Sequence, residues 1–256
     1  MTKEMPNKEL KTFLEEKYLQ YNTPEFIPRD PISIPHRFSL KEDIEICAFF
    51  VAIIAWGRRD VIIRNGNKLM KLMGDSPYDF VMNSDTKLKG FKHRTFNETD
   101  VHCFVNSLRN IYLNYNGLEG LFNNLIKEYK GDIQASISAF KKVFFSISHE
   151  SRTTKHISDP IKGSSAKRIN MFLRWMVRRD GRGVDFGIWN TISPSVLHMP
   201  LDVHTGRVAR KLGLLNRKQN DWRAVSELTG AMREFDADDP VKYDFALFGL
   251  GIEEKF

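Results

Sequence analysis

The chain has 256 residues, with 39 Lys and Arg against 32 Asp and Glu, a formal net charge of +7 and a pI of about 9.3. It contains no run of 18 apolar residues, which argues against a membrane-spanning helix. The polar N-terminus lacks the apolar core of a signal peptide, so we expect a cytoplasmic protein. Two cysteines, Cys47 and Cys103, are too few for a disulfide framework or a four-cysteine metal site, and we expect both to be reduced.

The positive charge is concentrated in one segment of the chain. Residues 151–218 carry 14 Lys and Arg against 4 Asp and Glu, a net of +10, so the remaining residues together carry −3. A basic run is most often a solubilising surface. So uneven a distribution, however, is typical of proteins that bind a polyanion, and we expect a nucleic acid partner.

Helical periodicity dominates the sequence up to residue 148. A Pro-rich connector over 23–39 interrupts it. Asp60 is expected to cap a helix that stops at Gly74, and Thr99 or Asp100 to cap the following one. Helices are predicted over 8–22, 41–57, 61–74, 101–117, 118–131 and 132–148. No strand pattern or repeat is visible, so the predicted fold class is all-α, with about ten helices.

The basic segment begins with a hairpin-like break at Pro160 and Gly163, followed by a helix predicted over 166–179. Ser164 or Ser165 is expected to cap this helix. Its apolar positions at i, i+3, i+4 and i+7 face the core: Ile169, Phe172, Leu173 and Met176. The basic positions on the other side are Lys167, Arg174 and Arg178. Free backbone N–H groups in the Gly-Ser-Ser loop would form a seat for a phosphate.

A second helix with a basic face follows the sequence "PLD". Asp202 is predicted as its N-cap and Gly213 as its stop. Val203, Val208 and Leu212 are expected to pack inward, whereas His204, Arg207 and Lys211 share the basic face. Two further helices are predicted over 222–235 and 239–252, with Pro240 in the first turn of the last one.

Each of these features has a plain structural interpretation as well as a functional one. Asp202 is either a helix cap alone or a rigid carboxylate that faces positive charge developing on a sugar. Lys167 is either a phosphate-binding lysine or an amine nucleophile. His198, Asp202 and His204 form no complete metal-ligand set, so no metal site is expected. Trp56 to Arg59 are either a helix terminus or a loop that enters a DNA groove.

Two motifs together resemble the helix-hairpin-helix (HhH-GPD) superfamily of base-excision DNA glycosylases. "KGSSAK" is similar to the Pro-Gly-x-Gly-x-Lys hairpin of that superfamily and keeps Gly163 and Lys167, but Lys162 and Ser165 replace its proline and second glycine. "LDVHTGRV" is similar to the signature Val-Asp-Thr-His-x-x-Arg-Val and aligns Asp202 with the catalytic aspartate. Lys167 and Asp202 are 35 residues apart, a spacing closest to the archaeal 8-oxoguanine glycosylase branch. The nearest overall likeness is to a bacterial family of unassigned activity related to this superfamily.

The resemblance implies an all-α fold of two lobes that depend on each other. One lobe would span 40–180 and end in the helix-hairpin-helix at about 155–180, and the other would combine 1–39 with 181–256. The cleft between the lobes would bring Lys167 opposite Asp202. No organic cofactor is implied, and no iron–sulfur cluster, because the cysteines that would bind one are missing; the hairpin carbonyls would bind a monovalent cation.

The function implied is base-excision repair in the bacterial cytoplasm, on the nucleoid when bound, by a monomer acting on damaged double-stranded DNA. Lys167 and Asp202 would be catalytic, with AP-lyase activity through a lysine Schiff base and 8-oxoguanine as the first substrate to test. The DNA-contacting residues would be Gly163, Ser164, Ser165, Arg168, Arg174, His204, Arg207, Arg58 and Arg59. Two alternatives remain: a non-catalytic DNA- or RNA-binding protein with the same fold, and a metal-dependent hydrolase using Asp202 and His204.

Overall fold

The structure, a computed structural model, describes residues 7–256, so residues 1–6 of the polar N-terminus lie outside the described part. These residues are mostly helical, which confirms the predicted all-α class. None of the described helices is both long and apolar enough to cross a membrane. The α-helices are α1 (Asn7–Tyr21), α2 (Lys41–Ile54), α3 (Arg59–Leu72), α4 (Pro77–Asn83), α5 (Glu98–Tyr115), α6 (Gly117–Glu128), α7 (Ile133–Phe144), α8 (Lys167–Val177), α9 (Val203–Lys211), α10 (Trp222–Phe235) and α11 (Asp244–Ile252). Short 3-10 helices span Pro24–Arg29, Pro31–Ser33, Pro35–Arg37, Ser151–His156, Pro194–Val196 and Pro240–Tyr243.

A small antiparallel strand pair corrects the prediction that no strand is present. Strand β1 (Lys92–His93) pairs with β2 (Phe96–Asn97), with Lys92 opposite Asn97 and His93 opposite Phe96. Two residues per strand are too few to produce a visible alternation in the sequence. The turn between the strands places Arg94 in the left-handed region, with φ of 55°.

The chain forms two compact units, one of which is discontinuous in sequence. The discontinuous unit contains the described residues up to Phe26 together with Asp159–Phe256, and the inserted unit is Ile27–Ser158. The boundaries therefore differ from those expected, because residues 159–180 belong with the C-terminal helices and not with 40–158. Arg174 and Arg178 of this segment form ion pairs with Asp244 and Asp239 of the C-terminal region.

The inserted unit is built around α2, whose residues from Ile44 to Ile54 are all buried. Aromatic rings from α5 and α7 pack against it: the ring centroid of Phe49 lies 6.0 Å from that of Phe104, 5.9 Å from that of Phe140 and 5.4 Å from that of Phe144. Both cysteines are buried here and unpaired, as predicted. Aromatic clusters of this kind stabilise the folded state through the apolar area that they bury and through edge-to-face ring contacts.

The discontinuous unit joins the two ends of the described chain, because α1 packs against α11 and α11 packs against α9. The approach of α1 to α11 is close: a Cβ placed on Gly249 would lie 2.2 Å from a ring atom of Tyr21. Only glycine therefore fits at this position of α11.

Two helix caps differ from those expected in the inserted unit. Asn97 caps α5, and its side chain and that of Asp100 form a reciprocal capping box, whereas Thr99 or Asp100 was expected as the cap. Helix α3 begins one residue before Asp60, and Asp60 pairs instead with Arg58 at 2.9 Å. Gly74 follows α3 with a positive φ, as its predicted role as the stop requires.

Candidate active site

The segment before α8 forms a tight turn over Pro160–Gly163. The carboxylate of Asp159 accepts the N–H of Ile161 at 3.1 Å, and the N–H of Gly163 donates to the carbonyl of Pro160 at 3.0 Å. Gly163 has φ of 90°, a conformation that favours glycine. The element before this turn is the 3-10 helix Ser151–His156, where a helix-hairpin-helix would have an α-helix.

The start of α8 differs from the expected serine cap. Ala166 is the N-cap, in the left-handed region with φ of 46° and without a side-chain cap. The hydroxyl of Ser164 instead accepts the N–H of Ala166 at 3.1 Å, and Asn170 donates to the carbonyl of Ser165 at 3.1 Å. The predicted core positions Ile169, Phe172, Leu173 and Met176 are all buried, as expected.

The hairpin uses much of its own hydrogen-bonding capacity. The N–H groups of Gly163 and Ser164 donate to the carbonyls of Pro160 and Asp159, so they are not the free donors that a phosphate seat needs. The carbonyls of Gly163 and Ser165 also accept hydrogen bonds, from Trp222 and Asn170. A carbonyl oxygen has two lone pairs, so these hydrogen bonds leave the monovalent cation at the hairpin as a prediction.

Lys167 lies in the first turn of α8, and its side chain is 25% exposed. Its Nζ lies 3.4 Å from Sδ of Met171, one helical turn further along. A thioether is a weak hydrogen-bond acceptor, so Met171 is not the main polar partner of the Lys167 amine. That partner is a carboxylate oxygen of Asp202, 3.8 Å from Nζ.

Asp202 is the N-cap of α9, as predicted. Its Oδ1 accepts the N–H groups of His204 at 2.9 Å and Thr205 at 3.0 Å, and its Oδ2 faces Lys167. Two backbone hydrogen bonds fix the carboxylate, and the positive end of the helix favours its ionised form. Oδ1 therefore caps helix α9, while Oδ2 interacts with the Lys167 amine.

A loop before α10 holds both partners in place. Asn220 donates to the carbonyl of Asp202 at 3.0 Å and accepts from Arg210 at 2.6 Å. Its neighbour Asp221 forms a β-bridge with Ser164 of the hairpin, three residues before Lys167. The same loop therefore connects to both sides of the pair. No motif in the sequence identified Asn220, because its role depends on contacts with residues 10 and 18 positions away.

A buried charge network lies behind the pair. Asp244, the first residue of α11, pairs with Arg174, and both side chains are at least nine-tenths buried. Burial raises the pKa of Asp244 to about 6; Arg174 and Lys167 oppose this increase, whereas Asp202 adds to it. Asp244 therefore lies within electrostatic range of both Lys167 and Asp202. A lone aspartate at the start of an apolar helix was the only available sequence signal.

The network continues away from the site through α8. Asp185 accepts from Arg174 at 3.3 Å and from Arg178 at 3.0 Å. Arg178 is fully buried and also reaches Asp180 and Asp239 at 2.9 and 2.8 Å. Burial lowers the pKa of Arg178, but the attraction of these three carboxylates outweighs it and the pKa is raised.

The burial of Arg174 corrects its predicted role as a DNA contact. The side chain is 5% exposed and is already paired with Asp244 and Asp185, so it cannot reach a phosphate. Periodicity placed Arg174 and Arg178 on an open face, but α8 is enclosed on all sides from Ile169 to Val177. Val203 differs in the opposite direction: it was expected to pack inward but is 73% exposed.

The other predicted DNA contacts of the discontinuous unit lie on its surface. Gly163, His204 and Arg207 are exposed, and Arg207 also donates to the carbonyl of Gly251 at 2.9 Å. Arg168 is half-buried, and burial lowers its pKa to about 10, so it stays charged at neutral pH. Ser164 and Ser165 are half-buried beside the turn.

Arg58 and Arg59 belong to the inserted unit, at the start of α3. Arg58 is 81% exposed and forms a two-pronged pair with Asp60, and Arg59 is half-buried. The structure thus brings Lys167 and Asp202 together within one unit, while these two arginines stand in the other.

No group of three or more His, Cys, Asp or Glu side chains suited to a metal ion occurs among residues 7–256. His198 stacks on Trp222 with ring centroids 5.2 Å apart, and its Nδ1 lies 3.1 Å from the carbonyl of Val196. Its ring is thereby occupied in packing, and His204 lies exposed on α9.

Comparison with known protein families gives a match that covers most of the chain. Residues 30–253 match the family described as a protein of unknown function, DUF2400, and the chain belongs to this family. No curated protein matches the sequence. No solved structure matches it either.

Proposed function

We propose that this protein is a DNA glycosylase of the helix-hairpin-helix type, with Lys167 as its nucleophile. The observation that carries the proposal is the approach of the Lys167 amine to Oδ2 of a rigidly capped aspartate, at 3.8 Å. The spacing of this pair in the sequence and the two motifs around it resemble the HhH-GPD superfamily, and the turn at Gly163 just before α8 is consistent with its hairpin. The fold proposed here is accordingly that of the superfamily.

The proposed reaction begins when a damaged nucleotide is flipped out of duplex DNA. The Lys167 ammonium gives a proton to Asp202, and the free amine attacks the anomeric carbon of the sugar. The bond from that carbon to the base breaks, and the base leaves with its electron pair and takes up a proton. Asp202 passes the proton that it accepted from Lys167 to the departing base, and its restored negative charge stabilises the positive charge left on the sugar and the Lys167 nitrogen.

The covalent intermediate then opens to a Schiff base between Lys167 and the sugar. Loss of a proton from the neighbouring carbon allows β-elimination, which breaks the bond to the 3′ phosphate. Water finally hydrolyses the Schiff base and regenerates the amine. This sequence requires no redox partner, since every step transfers only protons and electron pairs.

Borohydride trapping tests the proposal. Reduction of the Schiff base should leave the wild type covalently bound to a duplex that contains the correct lesion, with 8-oxoguanine as the first to try and abasic, deaminated and alkylated sites beside it. Lys167→Gln should form no adduct. Lys162→Gln, which removes an exposed lysine from the same hairpin, should still form one.

An adduct that persists in Lys167→Gln would assign the nucleophile to another residue. If the wild type binds the duplexes tightly but processes no lesion of the panel, the protein is a non-catalytic DNA-binding relative that keeps the fold.

A further inference from the structure

A strip of exposed cations crosses the inserted unit, in which 19 Lys and Arg outnumber 14 Asp and Glu. We call residues 87–94, "KLKGFKHR", the basic ribbon. Its charged side chains alternate with buried ones: Leu88, Phe91 and His93 are at most 7% exposed. The basic side chains all lie on the outside of this alternation: Lys87, Lys89, Lys92 and Arg94.

The ribbon is fixed along α3 by a series of hydrogen bonds. Lys68 donates to the carbonyl of Gly90 at 2.9 Å, and Asn65 bonds the ring of His93 at 2.9 Å. The other ring nitrogen of His93 lies 3.2 Å from the carbonyl of Trp56. Lys68 and Arg64, one turn apart on α3, are themselves exposed and extend the positive surface beside the ribbon.

Arg94 forms the tip of the ribbon and is held in an unusual position. Its guanidinium carbon lies 4.6 Å from the ring centroid of Trp56, a cation–π contact, and its backbone is left-handed. Gly57 makes room for this stack, because a Cβ there would lie 2.9 Å from Nη1 of Arg94. A left-handed backbone is unfavourable for arginine, and the cation–π contact holds this exposed guanidinium beside Trp56.

The ribbon's cations have few acidic neighbours. Among the described residues, no carboxylate forms an ion pair with Lys87, Lys89, Lys92 or Arg94. Of the nearby acids, Asp85 pairs with Arg109 and Glu98 accepts the N–H of Gly90. The positive charge of the ribbon is therefore directed to solvent.

We infer that the basic ribbon is a second DNA-binding surface, one that contacts the phosphates of duplex DNA. Lysine is depleted in protein–protein interfaces, which makes a polyanion the better partner. No large apolar side chain of residues 87–94 is exposed to anchor a membrane. The choice of DNA as the polyanion depends on the proposed function, whereas the surface itself does not.

Salt-dependent binding to an undamaged duplex tests the inference without requiring any catalysis. The ribbon variant is Lys89→Gln with Lys92→Gln. The control is Lys130→Gln with Lys142→Gln, which removes the same charge from exposed positions elsewhere in the inserted unit. Thermal melting verifies that both variants remain folded.

The ribbon variant should bind roughly tenfold more weakly than the wild type at 0.1 M salt. The slope of log affinity against log salt should fall by about 0.9 for each phosphate contact removed. The control should match the wild type in both respects.

Equal binding by the wild type, the ribbon variant and the control would overturn the inference while leaving the proposed function intact. A wild type that does not bind duplex DNA at low salt would overturn both. A loss confined to single-stranded RNA in the ribbon variant would replace DNA by RNA as the partner of this surface. Trapping by borohydride depends on Lys167 and not on the basic ribbon. If trapping alone failed, the inference that the ribbon binds DNA would be unaffected.

Discussion

Lys167 and Asp202 meet through one oxygen of a carboxylate whose other oxygen caps a helix. The distance from Nζ to Oδ2 is 3.8 Å, while Oδ1 accepts the N–H groups of His204 and Thr205. The two roles of Asp202 are therefore carried by different atoms of the same group. A substitution that keeps the cap but removes the charge separates them.

Asp202→Asn should change stability little and activity greatly. Asparagine caps helices about as well as aspartate, so the free energy of unfolding should change by less than about 1 kcal/mol. Turnover on a processed lesion should fall by roughly 10²-fold or more, because the carboxylate that accepts the proton is lost. Asp202→Ala should show the same loss of activity together with about 1 kcal/mol of destabilisation. If Asp202→Asn were fully active, Asp202 would act only as a helix cap and not in catalysis.

Arg178→Met should be strongly destabilising. The fully buried guanidinium pairs with Asp180, Asp185 and Asp239, and its removal leaves uncompensated buried charge at a cost of about 3–5 kcal/mol. Arg223→Met, at an exposed position of α10, should change stability by less than about 0.5 kcal/mol. Urea unfolding measures both. Comparable small effects would show that the network contributes little to the native state.

The protonation of Asp244 should couple stability to pH. Its pKa in the folded protein, about 6, is above the ordinary value of 3.8, because burial disfavours the charged form. Proton binding therefore favours the folded state, and this contribution is complete below about pH 4 and is lost as the pH rises through 6. Relative to Asp244→Asn, the wild type should lose on the order of 2–3 kcal/mol of stability between pH 4 and 7. A difference that does not vary with pH would contradict this assignment.

The same carboxyl group reports on its two neighbours. Lys167→Gln removes a nearby cation and should raise the pKa of Asp244, and Asp202→Asn removes a nearby anion and should lower it. Carboxyl carbon-13 NMR of aspartate-labelled protein follows both shifts. Shifts of the same sign in the two variants would place Asp244 outside their electrostatic range.

Replacing glycine by alanine should have opposite effects on stability at Gly163 and Gly230. Gly163→Ala puts a side chain on a residue with φ of 90°, and the strain should cost about 1 kcal/mol or more even though the space around it is open. Gly230→Ala places the same methyl group inside α10, again with nothing nearby, and should stabilise by roughly 0.5–1 kcal/mol. Thermal melting compares the two variants. Destabilisation by both would show that the left-handed turn at Gly163 is not the cause.

Local chemistry explains which parts were predictable from the sequence. The N-cap role of Asp202 and the glycine stop at Gly213 depend on a few adjacent residues, and both were correctly predicted. The cap of α8 was not, because a left-handed alanine has no sequence signal and Ser164 was the better cap by type.

Charge placement was harder to predict, because composition counts a charged residue equally whether it is buried or exposed. In the inserted unit, Glu45, Asp100 and Glu119 are buried, whereas the lysines of the basic ribbon are exposed. The surface there is more positive than the sequence suggests. In the segment 151–218 the reverse holds, since Arg174 and Arg178 are buried among aspartates distant in the sequence.

The packing of α1 against α11 imposes an order on biosynthesis. Domains form largely as units while the chain emerges from the ribosome, N-terminal parts first. The inserted unit, Ile27–Ser158, is complete before α11 is made. Helix α1 emerges before the inserted unit, but its partner α11 follows that unit in the chain, so the apolar face of α1 stays uncovered while the inserted unit is made. Nascent chains that stop short of α11 therefore lack the partner of α1 and the Asp244 carboxylate behind Lys167 and Asp202.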